Sequence, residues 1–384
     1  MLIWTAMLIP VLTVLVLAFF FNKKMAWWEY LVVLGIPALI ILGIKADVEA
    51  SQVHCTEYWG AYLTKGAYYE EWNEYIHQTC TRSYPCGTDS EGHIEWCTET
   101  YDCSYVATHP EYWEVTNSIG EDFSVSKQYF ENLCKLWGSR VFVDMNRHYY
   151  TEDGDAYVTT FDKDYEHTIP TTTKHSYENR VQASHSVFNF REFKKGEAQQ
   201  LGLFDHPPIN SFDQTSVLGT LSSHQDKKYV DFTNAYLGAP SKFRMYILSW
   251  QGKGQDIAVQ QEAYWKGGNK NEIVICVGMD SANTKAEWCK VFGWSKNEIL
   301  KINIRDCVVG QNTLDLKVLA GYVNEQVKGK VIRRDFREFS YLTVDPPTSA
   351  VVWTFIVTAL LCGGLAWFSV VNEFDRDCPS GSRY

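Results

Sequence analysis

Leu2–Phe21 reads LIWTAMLIPVLTVLVLAFFF, a run of 20 residues without a charge. That is the length an α-helix needs to cross a hydrocarbon layer about 30 Å thick. A second apolar run spans Trp27–Ile44 and a third Ala350–Val371. Pro10 and Pro37 interrupt the first two, as membrane helices tolerate. Trp27, Trp28 and Tyr30 stand at one end of the second run, and Trp353, Trp367 and Phe368 near the ends of the third, where amphipathic rings favour the interface. The first run has no basic leader and no small-residue cleavage site, so it reads as a retained helix rather than a signal peptide.

Lys23 and Lys24 fall in the short loop between the first two runs. By the positive-inside rule that loop faces the cytoplasm. The N-terminus and residues 46–348 are then expected outside, and the tail 372–384 inside. The transmembrane runs carry no ionisable residue in their interior, Glu29 lying at an edge beside Trp28.

Cysteine usage agrees with that sidedness. Of 11 Cys, six lie between residues 55 and 134: Cys55, Cys80, Cys86, Cys97, Cys103 and Cys134. The middle four are spaced C-x5-C-x10-C-x5-C, without the CxxC pairs of a zinc site. Dense cysteines in an extracytoplasmic segment predict disulfides, with the connectivity open among these six. Cys289–Cys307 is a further candidate bridge, with Cys276–Cys307 as its alternative. None of the 17 Asn residues begins an N-x-[ST] acceptor, which favours a bacterial or viral envelope.

Outside the membrane the chain reads as two units. Residues 46–193 form a Cys-rich, aromatic, acidic and β-rich part. Between Ala46 and Glu114 thirteen carboxylates face only Lys65 and Arg82, a deficit equal to the net charge of −11 of the whole chain. Tyr58, Trp59, Tyr68, Tyr69 and Trp72 are its candidate binding surface. Ser126–Trp137 predicts a helix, Val141–Tyr150 with Ala156–Phe161 a hairpin about the turn 152–155, and His175–Phe190 a strand pair. Residues 194–225 read as connecting loops.

Residues 226–348 alternate between periods. Lys227–Leu237 predicts a helix, Phe243–Trp250 a buried strand, Asp256–Trp265 a helix with Asp256 as N-cap, and Glu272–Met279 a second buried strand. Ala282–Phe292, Lys296–Cys307 and Thr313–Val327 predict helices. The expected fold is therefore an α+β membrane protein: three transmembrane helices (2–21, 27–44, 349–371), a disulfide-rich β domain and an α/β domain.

The segments Arg244–Ser249, Gln255–Trp265, Asn269-Lys270-Asn271-Glu272, Ile273–Val277 and Asp280 resemble the TPM domain, an extracytoplasmic α/β module often tethered to membranes. In that family a strand leads into a helix ending near Trp-Gly, then a polar turn, then an apolar strand closed by an acid. Glu272 stands where the family has a turn glycine, and its arginine-rich following strand is absent. The resemblance implies hydrolase or Ca²⁺-binding chemistry, with Asn271, Glu272 and Asp280 as the metal positions. The whole chain is also similar to membrane proteins of unassigned role from bacteria and tailed phages.

Catalytic signatures do not appear: no P-loop, G-x-S-x-G, H-E-x-x-H or G-x-G-x-x-G. A sequence pI near 5.4 argues against nucleic acid. The expected function is therefore a non-enzymatic envelope protein, anchored in a bilayer, that self-assembles or binds a protein partner. A TPM-type hydrolase or metal-binding regulator is one alternative, and a channel or transporter subunit another. No cofactor is expected, apart from Ca²⁺ in the TPM-type reading.

Overall fold

The computed structural model describes residues 2–21, 25–88, 90–138, 140–145, 155–161, 167–184, 190–212, 215–344 and 346–372. The lysine loop at 22–24, the turn residues 152–154, His185 and the tail 373–384 lie outside them.

A short 3-10 turn (Leu2–Met7) leads into α1 (Leu8–Phe20), followed by α2 (Trp27–Val53). Helix α2 continues nine residues past the apolar run, through Lys45, Asp47 and Glu49. Its 27 residues span about 40 Å, roughly 10 Å more than a hydrocarbon layer.

Strand β1 (His54–Tyr69) follows without a break. The next forty residues form a ribbon: β2 (Trp72–Ile76), β3 (Thr79–Thr88), β4 (Ile94–Asp102) and β5 (Tyr105–His109). Strand β2 pairs with β5 and β3 with β4, both antiparallel. The chain returns as β6 (Tyr112–Asn117), β7 (Asp122–Val125), α3 (Lys127–Trp137), β8 (Val141–Val143), β9 (Ala156–Thr160) and β10 (Pro170–Glu178). Strand β1 is the axis of this six-stranded sheet: its first half pairs with β10, its second half with β6 and β9. The expected helix at 126–137 is present, with the Ser126 hydroxyl accepting from Tyr129 N–H. The expected 141–161 hairpin pairs as β8 and β9. The expected strand pair at 175–190 is seen only in its first arm, since 185–189 lie outside the described residues. Its first half belongs to β10, and the chain then enters α4 (Arg180–Ala183), capped by Asn179.

The second part adds α5 (Glu197–Leu201), β11 (Val217–Gly219), α6 (Lys227–Ser241), β12 (Arg244–Gln251), α7 (Asp256–Tyr264), β13 (Glu272–Met279), β14 (Ala286–Gly293), α8 (Glu298–Val309) and α9 (Leu316–Val327). The sheet order is β11-β12-β13-β14, with the first three parallel and β14 antiparallel. Strands β12 and β13 are buried on both faces and alternate between two cores. Met245, Ile247, Ile273, Ile275 and Val277 meet α6, α8 and α9. Tyr246, Leu248, Trp250, Val274 and Cys276 meet α7 and the 203–209 segment.

Three expectations fail here. Ala282–Phe292 is not a helix. Its residues 286–293 form the edge strand that satisfies the N–H and C=O groups of β13, which a helix would have left unpaired. Nor is 194–225 only a connection: it supplies β11, and Leu203 and Ile209 are buried in the core. Asp256 is not the N-cap of α7; Gln255 occupies that position.

Two glycines let the two parts touch. A side chain on Gly60 of β1 would stand 2.1 Å from the Asn234 carbonyl oxygen of α6, and one on Gly238 would stand 2.2 Å from Gly60 N. Only bare backbone permits that approach. Asn234 also donates to Met245 O and accepts from Met245 N, so one amide ties α6 to β12.

Helix α10 (Thr348–Asn372) closes the chain and packs with α1 and α2. Ile3–Phe20, made of the 3-10 turn and α1, and helices α2 and α10 are each long and apolar enough to cross a membrane. The N-terminal turn lies at the end of the bundle from which α2 runs on into β1, with the Lys45 ammonium 5.5 Å from the centre of the Trp4 ring. Glu29 lies in the first turn of α2, at the edge of the apolar run as expected; it is completely buried, and one carboxylate oxygen accepts from Ala26 N–H at 2.6 Å.

Candidate functional site

The ribbon 72–109 is the first candidate. Each arm runs about 17 residues, so at about 3.3 Å per residue it reaches about 55 Å. Every described residue of β3 and β4 except Cys80 and Cys97 is exposed. An isolated two-stranded ribbon is marginal in water because it buries too little apolar surface. Two nested disulfides replace that missing core: Cys80–Cys103 and Cys86–Cys97. Six acidic residues face one basic residue, Arg82, which already pairs with Glu99 at 3.3 Å. Trp96 (66% exposed), Tyr84, Ile94, Tyr101 and Tyr105 stand in solvent among them.

Of the aromatic residues nominated from sequence, only Trp72 belongs to the ribbon; the other four sit on β1. Tyr68 stacks on Trp113 at 5.1 Å and Tyr157 at 5.9 Å, and Tyr69 on Tyr112 at 4.5 Å. Trp72 stacks on His109 at 4.0 Å across the ribbon. Trp59 lies against His175 at 3.6 Å, with Lys242 and Arg333 over its ring, and Tyr58 packs into the α/β core. Because β1 has neighbours on both edges, its rings make cross-strand stacks rather than a free surface. Beside them the Arg333 guanidinium donates to both Glu57 oxygens at 2.5 and 2.6 Å.

Of the disulfide candidates, four pair and four remain thiols. Cys55 donates to Gln182 Oε1 at 3.3 Å, at the start of β1. Cys134 rides on α3, which packs on Gly66 toward the far end of that strand, out of reach of Cys55. Cys289 is buried on β14, and burial pushes its thiol up to about 12; Cys307 is half-buried on α8.

The proposed metal positions separate. Glu272 opens β13 and Asp280 follows its end, so eight residues of strand hold them about 26 Å apart. Asp280 is half-buried and accepts from Thr284 and Lys285 N–H, a turn cap. Asn271 donates to Tyr58 O at 2.7 Å. No group of three metal-ligating side chains gathers among the described residues.

Glu272 instead builds a second candidate. It is buried; one oxygen meets His206 Nε2 at 2.9 Å and Asn269 Nδ2 at 2.8 Å, the other accepts from Asn269 N–H. Burial alone would raise the Glu272 carboxyl, but His206 and Asn269 outweigh it and hold it below the usual range. Burial alone would lower the His206 imidazole, but the Glu272 charge and hydrogen bond turn the shift upward. The imidazole borders a cavity of about 380 Å³ lined by Gln182, Tyr264, Trp265 and Asn269. A carboxylate behind an imidazole is a proton-handling arrangement. Sequence reading missed His206 because it comes from the loop 203–209, 66 residues from Glu272 and in no recognisable spacing.

No family model, curated protein or solved structure matches the chain.

Proposed function

We propose that this is a membrane-anchored protein that presents a stapled acidic arm, outside the membrane, to a protein partner. The observation that supports it best is the ribbon itself: about 55 Å of paired strands, exposed on both faces along β3 and β4 and held by two disulfides. Such a ribbon adds little to a folding core, so its use lies in the surface it carries. Disulfides persist in oxidising compartments, which agrees with a lysine loop inside and the ectodomain outside. Like charge repels, so two acidic arms do not pair with each other, and a basic partner surface with apolar slots suits this one. The test places a photo-crosslinking residue at Trp96 in the full chain in its own membrane. The expected adduct joins the arm to a different protein and disappears when Glu95 and Glu99 become Lys. Adducts only in multiples of 44.2 kDa would overturn the reading.

A second reading rests on the His206–Glu272 pair and its cavity: a hydrolytic activity of the kind implied by the TPM resemblance. Loss of a measured hydrolysis in His206→Gln, with the fold intact, supports it; equal rates remove it.

A further inference from the structure

A second cavity, also about 380 Å³, lies where β10, α4 and the 335–340 turn meet. Arg180, Lys270 and Arg337 bring three cations to its wall, and Glu178 and Asp335 two carboxylates. Arg180 is fixed: it donates to Glu49 Oε1 at 2.9 Å and to Leu342 O at 3.3 Å. Lys270 Nζ stands 5.8 Å from the Tyr177 and Phe336 rings and, among the described residues, meets no carboxylate within ion-pair distance. Arg337 is exposed, and its guanidinium has no carboxylate partner among the described residues. Two cations thus stand at one opening outside any close ion pair among the described residues, with Asp335 and Glu178 the carboxylates on the same wall.

The height of the cavity matters as much as its charge. Glu49, which holds Arg180, lies five residues beyond Ile44, the end of the apolar run. At 1.5 Å per residue that is about 7.5 Å above the hydrocarbon. The headgroup layer on each face is about 5–8 Å deep. The same Glu49 also borders the crevice formed by Ile3, Trp4, Lys45 and Pro346 at the foot of the helices. The cavity therefore opens at headgroup level, provided that the helices span the bilayer as proposed above.

We propose that this cavity binds the headgroup of a zwitterionic phospholipid from the outer-facing leaflet. The phosphodiester sits against Lys270 and Arg337, and the headgroup ammonium against Glu178 and Asp335. Opposite charges on one wall fit a zwitterion better than a purely anionic headgroup, which would meet both carboxylates.

The test uses the full chain in nanodiscs of equimolar phosphatidylethanolamine, phosphatidylcholine and phosphatidylglycerol. Resistance of the native protein to carbonate extraction is scored first, so failure of the anchor and failure of the site read separately. Native mass spectrometry then counts the lipids that stay after detergent release. One zwitterionic lipid per chain is expected, retained at least tenfold less by Lys270→Gln/Arg337→Gln, the first half-buried and the second exposed, with the melting temperature unchanged. Lipids retained in the bulk ratio, or equally by the double variant, would overturn the proposal. So would displacement of the lipid by millimolar inorganic phosphate, which would mark a soluble phosphate site.

Discussion

Removing the outer staple of the arm, with Cys80→Ser and Cys103→Ser together, isolates what holds the ribbon up. The bond closes a loop of sequence separation 23, and the chain-entropy relation assigns it about 3.4 kcal/mol. The inner Cys86–Cys97 loop, separation 11, is worth about 2.8 kcal/mol taken alone. Within the outer loop it adds less, because the chain ends are already close. Packing contributes little along β3 and β4, whose side chains are exposed. Loss of about 3 kcal/mol corresponds to a population of open arm about 100-fold larger. Hydrogen exchange read by mass spectrometry resolves this by segment. Peptides within 79–102 should exchange about 100-fold faster, while those covering β12 and β13 keep their rates. Faster exchange in β12 and β13 would show that the ribbon belongs to the folding core. Unchanged exchange in 79–102 would show that packing, not the cross-link, holds it. Either result refutes the argument.

The remaining predictions concern the body. Replacing His206 by Ala strands a buried Glu272 charge and should cost about 3 kcal/mol, measured by denaturant unfolding of the solubilised protein. The raised His206 contributes stability below its ordinary 6.5 and loses it as pH rises through its folded value. The lowered Glu272 contributes above its ordinary 4.5 and loses it as pH falls through its own folded value. The pair therefore stabilises most between pH 4.5 and 6.5, and His206→Ala should flatten the stability profile across that window. Gly60→Ala drives a methyl into the Asn234 carbonyl and should cost about 3 kcal/mol, whereas Gly43→Ala, with open space around it, should leave the melting temperature in place. Trp96→Ala should change stability by less than about 0.5 kcal/mol while weakening partner capture at least tenfold.

Some of this architecture is plain in the sequence. The apolar runs stand out by composition, since no other segment of their length is so nearly free of charge. Glu272–Met279 reads as a strand with the bounds it has, because eight residues buried on both faces leave no competing period. The apolar face of 126–137 announces α3, and Ser126 caps it. Other elements are hidden for identifiable reasons. Ala-Glu-Trp-Cys-Lys-Val-Phe at 286–292 satisfies helical and strand periods alike, and the open edge of β13 decides between them. The cysteine spacing marks disulfides, but the nesting of 80–103 over 86–97 follows from β3–β4 pairing, which the spacing does not encode. Aromatic richness around Tyr58–Trp72 resembles a binding face, yet β1 is the central strand of its sheet, so those rings are spent on stacking. Asn234 and His206 are single polar residues whose importance comes from partners distant in sequence, and no local pattern distinguishes them.

The most direct test of the account is the sidedness of the arm in intact cells. An impermeant reductant followed by an impermeant maleimide, read peptide by peptide, should modify Cys80, Cys86, Cys97 and Cys103. Cys378, in the tail, should react only after the membrane is permeabilised. Labelling of Cys378 in intact cells while the four arm cysteines stay protected would contradict a membrane protein that holds its stapled arm outside.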